Sequence, residues 1–321
     1  MNSLVRILFL CVLFNSSLPA QENQANDEYL PLYAGTLLAF YPSNAAPGYL
    51  SIQPYIFFTK NDAFYNAHWS RQTKKPIYLS TLSVSLETGI TQFLDVSLIL
   101  NETYNRLGSR HSLLYGDMQA YLGFQALRDK KGTAIPDLRI LLGENFPTGK
   151  YKNLDPKKQG SDISGVGSFE TILLVVLSKV FYLFPKHPFD LNLNLFYIVP
   201  AKTHVHGFSF YGGGPGTEGT AKPGNQFIAN LAFEYSVNRF WALGIDMRYE
   251  HFNSSPFSGK KGIDPILFPT GRPSTERISI APCLEYCYSE DFSLAGGFWF
   301  TVAGRNAQAF VSTIFNVFYY F

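Results

Sequence analysis

Six histidines and three cysteines are the side chains of this 321-residue chain best suited to nucleophilic or metal chemistry. A hydrolase acting on lipid needs a Ser hydroxyl within hydrogen-bond reach of a His. His111 and Ser112 are neighbours, and on a strand they face opposite ways. His204 and His206 share a face, but the nearest Ser, Ser209, lies in a Gly-rich stretch where no motif fixes geometry. His251 is followed by Asn253 and Ser254 without matching a lipase pattern. As metal ligands, His204 and His206 lack a third partner. Cys283 and Cys287, placed on one strand, are about 13 Å apart. A disulfide needs Cα atoms within about 7 Å, so they read as small reduced wall residues. The run Gly212-Gly213-Gly214-Pro215-Gly216 has no Lys-Ser/Thr and no helix after it, so it reads as a flexible loop tip and not a phosphate loop. These residues predict no enzyme, no metal site and no cofactor.

A second set of chemically capable residues is spaced regularly. Glu87, Asp95, Asp117, Asp190, Glu234, Asp246, Glu250 and Glu285 each fall on the polar side of an alternating segment, as do Tyr121, Arg139 and Arg248. Tyr78, Ser80, Leu82, Val84 and Leu86 alternate with Leu79, Thr81, Ser83, Ser85 and Glu87. Leu191, Leu193, Leu195 and Tyr197 oppose Asp190, Asn192, Asn194 and Phe196. Trp241, Leu243, Ile245 and Met247 oppose Ala242, Gly244, Asp246 and Arg248. A period of two means β-strands with one apolar and one polar face. Twelve such segments are predicted: 50–59, 77–88, 94–104, 116–127, 136–146, 168–184, 189–202, 225–237, 241–252, 275–288, 292–303 and 308–321.

An even set of strands of roughly ten residues predicts an all-β chain, a transmembrane antiparallel up-and-down β-barrel of about 12 strands. The rival, a soluble β-sandwich, also alternates. Connection lengths separate the two. Short turns near Thr91–Phe93, Pro185–Pro188, Asn238–Arg239 and Ser289–Asp291 interleave with long loops at 60–76, 105–115, 147–167, 203–224 and 253–274. That is the pattern of periplasmic turns and extracellular loops; the turn 128–135 and the loop 304–307 depart from it. Aromatics crowd strand ends, among them Tyr115, Phe146, Tyr182, Phe184, Trp241, Tyr249 and Tyr288, as interfacial girdles require. Composition agrees: 16 % of residues are charged, 16 % are aromatic and the net charge is +2. A near-neutral balance argues against nucleic acid as partner. Mean hydropathy of -0.01 is too polar for a bundle of membrane helices.

The first residues read as an address. Arg6 precedes the apolar run Ile7–Phe14, and Leu18-Pro19-Ala20 offers a cleavage site, so 1–20 is a secretory signal peptide. Cys11 lacks the small residues that precede a lipidated Cys. Residues 21–49 form an N-terminal periplasmic or plug segment, and 50–321 form the barrel. The stretch 29–41 is too apolar to float in periplasm and is expected to pack inside the lumen; an extra strand pair there would make fourteen strands. The last strand, with Phe315, Val317, Tyr319 and Phe321 on one face, resembles the signal read by barrel assembly machinery, which makes Phe321 its contact. Even strand number puts both termini in the periplasm of a Gram-negative cell.

A family resemblance lies in 86–250. Leu86-Glu87-Thr88-Gly89-Ile90-Thr91, Gly116-Asp117, Pro147-Thr148-Gly149-Lys150-Tyr151 and Gly165-Val166-Gly167-Ser168 resemble motifs of the phenol meta-pathway-type outer-membrane transporter family. The resemblance implies a barrel transporter, aromatic compounds by the family's name, and no catalytic motif. By analogy alone, an N-terminal hatch like that of the long-chain fatty-acid transporter clan would fit 29–41.

Eight inward acids against Arg139 and Arg248 predict either a polar pore that favours cations or a lumen closed by structural ion pairs. The long loops are basic, net +3 over 60–76 and +2 over 147–167. They suit anionic solutes or lipopolysaccharide phosphates. The expected function is therefore a channel or transporter for passive uptake of small, hydrophobic or aromatic solutes, surrounded by outer-membrane lipid. The alternatives are a closed structural or surface-recognition barrel and, third, a lipid hydrolase.

Overall fold

The computed structural model describes residues 35–182, 184 and 186–321. The signal peptide 1–20, residues 29–34 of the apolar stretch, and Leu183 and Pro185 of the predicted 168–184 strand and 185–188 turn lie outside the described residues.

Strands β1 (Leu50–Tyr65), β2 (Arg71–Gly89), β3 (Leu94–Leu107), β4 (Arg110–Tyr115), β5 (Met118–Leu127), β6 (Asp137–Phe146), β7 (Glu170–Phe181) and β8 (Phe189–Pro200) make the first part of the wall. Then follow β9 (Thr203–His206), β10 (Thr217–Ala221), β11 (Gln226–Ser236), β12 (Trp241–Phe252), β13 (Phe257–Lys261), β14 (Thr275–Cys287), β15 (Phe292–Arg305) and β16 (Gln308–Tyr320). All but β9, β10 and β13 belong to one antiparallel sheet, in which β2 also pairs β3 and so closes the ring. β4 and β5 both pair β3, one above the other, and are separated by Gly116-Asp117. The wall is therefore a closed 12-strand barrel with one extra strand. Closure joins β1 to β16, where Leu50 and Phe321 exchange backbone hydrogen bonds of 2.8 and 3.0 Å. Closure gives each strand of the ring a hydrogen-bonded neighbour on both sides, as a hydrocarbon surround demands.

The period of two settles which face is which. On β11, Ile228, Asn230, Ala232, Glu234 and Ser236 are withdrawn from the surface, while Phe227, Phe233 and Tyr235 are exposed. On β16 the exposed set includes Val311, Phe315 and Tyr319, with Ser312, Ile314 and Asn316 buried inside. Cys283 and Cys287 are buried free thiols.

Three of the expected loops have a different form. The 60–76 and 105–115 segments are not open loops. β1 and β2 run on together to Tyr65 and Arg71 across an irregularity at Asn61/Ala63. β3 and β4 turn tightly at Gly108, whose φ of 62° suits glycine. Nineteen residues in β2 far exceed the 9–11 needed to cross a bilayer, so this hairpin stands beyond the hydrocarbon. The Gly-rich segment is not a loose tip either. β9, β10 and β13 form a separate three-stranded sheet. Val205, Tyr211 and Ala221 are buried there beside Phe210 and Phe257, and Gly213 N donates to Pro269 O at 3.1 Å. The Arg272 guanidinium lies 4.1 Å over the Phe210 ring. Burial pushes the Tyr211 hydroxyl up to about 12.

Candidate functional site

The inward residues sort into clusters, each built around a charge taken out of water and given partners. β6 supplies Arg139, β2 supplies Glu87 and β3 supplies Asp95. Arg139 Nη2 lies 2.9 Å from Glu87 Oε1 and 2.5 Å from Asp95 Oδ1, while Nη1 donates to Tyr41 O at 3.0 Å. Gly123 makes the room for Asp95: a Cβ there would lie 2.5 Å from its Oδ1.

Asp246 on β12 accepts Thr36 Oγ1 at 2.7 Å, Asn230 Nδ2 at 2.8 Å and Leu38 N at 3.2 Å. Asp190 accepts Ser178 Oγ at 2.5 Å. Glu234 and Glu285 are buried together, and Cys287 Sγ donates to Glu285 Oε1 at 3.2 Å. Glu250 lies between Arg248 and Arg277. The Asp117 carboxylate accepts Gly149 N and Val166 N, both at 2.8 Å. It thereby fastens both ends of the 147–167 loop.

Residues 35–47 lie against this inner surface. Phe40 N donates to Asn194 Oδ1 at 2.6 Å, and Asn192 Nδ2 donates to Phe40 O at 3.0 Å. Asn44 N reaches Gln125 Oε1 and Ala45 N reaches Glu87 Oε1. Apolar packing backs these bonds. The Phe40 ring meets Tyr121 edge-on at 5.4 Å and Phe196 at 5.8 Å. Leu37 is buried with Cys283, Ala295 and Ile314. Tyr121 itself lies over Gly143, where a Cβ would come within 2.4 Å of its ring.

On the other side of the segment, space remains. A cavity of about 410 Å³ is lined by Thr81, Asn101, Thr103 and Asp117 among others. Below it a cavity of about 220 Å³ lies between Leu37–Tyr41 and Gln53, Ser83, Ser85, Ser97 and Ile99. A third, also about 220 Å³, shares Tyr41, Gln53, Ser85 and Glu87 with the second and continues to Phe318 and Tyr320. The three follow one another down the inner face of β2.

Arg277, Asp137 and Glu170 are inward groups that alternation did not single out. Thr275-Glu276-Arg277 is polar on both faces, so its sequence carries no signal of direction. The catalytic candidates are otherwise engaged. His111 packs beside Tyr104, while Ser112 accepts Lys158 Nζ at 2.9 Å. His251 bonds Glu276 and Asn253. His204 and His206 bond Glu218 from the neighbouring strand β10, and the His206 hydrogen bond holds the Glu218 carboxyl below its usual range. Among the described residues no group of three or more His, Cys, Asp or Glu is arranged to hold a metal.

Taken together, the ring closure, the apolar exterior and the polar interior define an outer-membrane-type β-barrel. The chain belongs to the family described as "Putative MetA-pathway of phenol degradation", whose model matches residues 50–317. Among solved structures it is similar to an outer membrane channel from Pseudomonas putida F1, with 14 % identity, TM-score 0.64, and 87 % of this chain and 97 % of that one covered. The β domain of the Bordetella autotransporter BrkA aligns at 10 % identity and TM-score 0.44, covering 86 % and 100 %. No curated protein sequence matches the chain.

Proposed function

We propose that this protein is a passive channel of the bacterial outer membrane, in which small solutes descend between residues 37–45 and the β1–β3 wall. The observation that carries this reading is the row of three cavities beside the inward hydroxyls of β2. Side chains such as Thr81, Ser83 and Ser85 offer hydrogen bonds without fixed charge, so they hold solutes weakly enough to release them. Phe40, Tyr55, Phe57 and Ile99 add apolar surface at the middle cavity and favour solutes with an apolar part. Most of the acids that would have made the pore cation-selective accept hydrogen bonds from wall or segment, which argues against open charge as the selecting element.

Residues 35–47 act in this reading as a partial plug. The basic outer loops, including Lys152 and Lys157, face lipopolysaccharide phosphates, and the short turns and both chain ends face the periplasm. The likeness in fold to an outer membrane channel supports transport over catalysis.

A second reading, a closed structural barrel, is favoured by the number of bonds that hold the segment. Single-channel recording of the refolded protein in planar bilayers separates the two. Stable conductance steps that grow when residues 21–46 are deleted are expected for the channel. Silence from a folded barrel, with and without the segment, would reject it.

A further inference from the structure

Arg248 and Glu250 are successive inward residues of β12, and Arg277 stands directly across from Glu250 on β14. Arg248 Nε donates to Glu250 Oε1 at 3.1 Å, and Arg277 Nε donates to Oε2. Each guanidinium is thus fixed through Nε alone. Among the described residues the terminal Nη1 and Nη2 of both make no hydrogen bond. The Arg248 and Arg277 side chains are 16 % and 22 % exposed, against 6 % for Glu250. Stacking sets their planes. Arg248 lies 5.7 Å over Phe196, and Arg277 lies 5.1 Å over Phe310 and 6.0 Å over Trp299. Phe196 is also the ring on which Phe40 packs, so the pair borders the plug segment. Nearby carboxylates are occupied: Asp246 by Thr36, Leu38 and Asn230, and Glu170 by Gln226 Nε2 at 3.0 Å.

We propose that Arg248 and Arg277, held by Glu250, bind the carboxylate of a small organic acid that carries an apolar body. The proposal rests on the channel reading and names a solute class for it. Within the triad, two guanidiniums bridged by one carboxylate keep one net positive charge, which Asp246, two positions along β12, offsets in part, and four terminal nitrogens are left to bond a ligand. A planar carboxylate matches the fork of a guanidinium, and an ammonium offers no such match. Because Glu250 and the rings already fix both side chains, little rotamer freedom is lost on binding. Phe196, Phe310 and Trp299 supply the apolar surface beside the charge.

Isothermal titration of the refolded full chain in detergent tests this with benzoate as probe. Benzyl alcohol serves as the uncharged body, and inorganic phosphate as the anion without a body. Saturable benzoate binding is expected, weakened about tenfold in R248Q or R277Q, with benzyl alcohol and phosphate far weaker. Lysine variants R248K and R277K keep Glu250 paired, and the loss of the fork should still weaken benzoate in them. They decide the matter if the glutamine variants do not fold, as judged by heat-modifiable gel mobility. Equal binding by the lysine variants and the unaltered chain, or equal affinity for benzyl alcohol or phosphate, would overturn the proposal. Conductance is recorded separately. Benzoate binding without conduction would keep the site and reject the channel, and conduction without binding would do the reverse.

Discussion

The two sides of the lumen are built from different chemistry. Along β2 and β3 the inward residues include Thr81, Ser83, Ser85 and Ser97, and they border open cavities. From β5 round to β12 they include Gln125, Arg139, Asn192, Asn194 and Asp246, and they engage backbone and side-chain groups of residues 36–45. A short hydroxyl costs little to leave facing water. A buried charge is tolerable only with partners in place. Long amides and charges therefore grip a segment, and short hydroxyls leave room beside it. The consequence for a barrel this narrow is that passage and attachment share one circumference and meet at Glu87 and Tyr320, which line a cavity and also bond Ala45 and Ala46.

The sharpest way to break this contrast is Arg139→Met. It strands Glu87 and Asp95 in the interior and frees the Tyr41 carbonyl. A loss of about 3–5 kcal/mol is expected in urea unfolding followed by tryptophan fluorescence. An unchanged midpoint would deny the gripping side its role. Asp246→Ala removes three accepted hydrogen bonds and should cost about 2 kcal/mol, with larger single-channel conductance as Thr36 and Leu38 come loose. Ser85→Phe tests the opposite wall. Conductance should fall by more than half while stability moves by less than ~0.5 kcal/mol. A large stability loss there would erase the distinction between the two sides.

The smallest effect lies outside the membrane, at Glu218. Its carboxyl is depressed in the fold, so its contribution is present above the unfolded value of about 4.3 and is lost as pH falls through the lower folded value. Amide exchange at Val205 and Gly219, paired across β9 and β10, should quicken on acidification with the barrel midpoint unmoved.

How much of this was legible depended on periodicity. Wherever one face met lipid, alternation marked both a strand and its inward side, as in Leu191–Tyr197 and Trp241–Met247. It failed above the membrane, where both faces meet water. There Lys74-Lys75-Pro76 reads as loop, yet the β1–β2 hairpin runs on past it, and the sheet of β9, β10 and β13 had no apolar stripe to announce it. Partners were harder still to read. That Arg139 pairs with Glu87 and Asp95, or that Glu250 bridges Arg248 and Arg277, depends on which strands the ring brings face to face. The apolar run at 29–41 pointed to burial, while the side chains that bond its described part, 35–41, lie 98 to 210 positions away.

The seam at β1 and β16 has a kinetic meaning. Nearly every other wall pairing joins neighbours in sequence, most of them simple hairpins that form fast. This one pairs Ser51 with Tyr320 and Phe64 with Gln308, from opposite ends of the wall. Closing a loop of that length costs about 5 kcal/mol in chain entropy beyond a constant. Among the wall ladders the longest sequence separation is thus concentrated in one, and joining the two ends is the slow step expected in closing the ring.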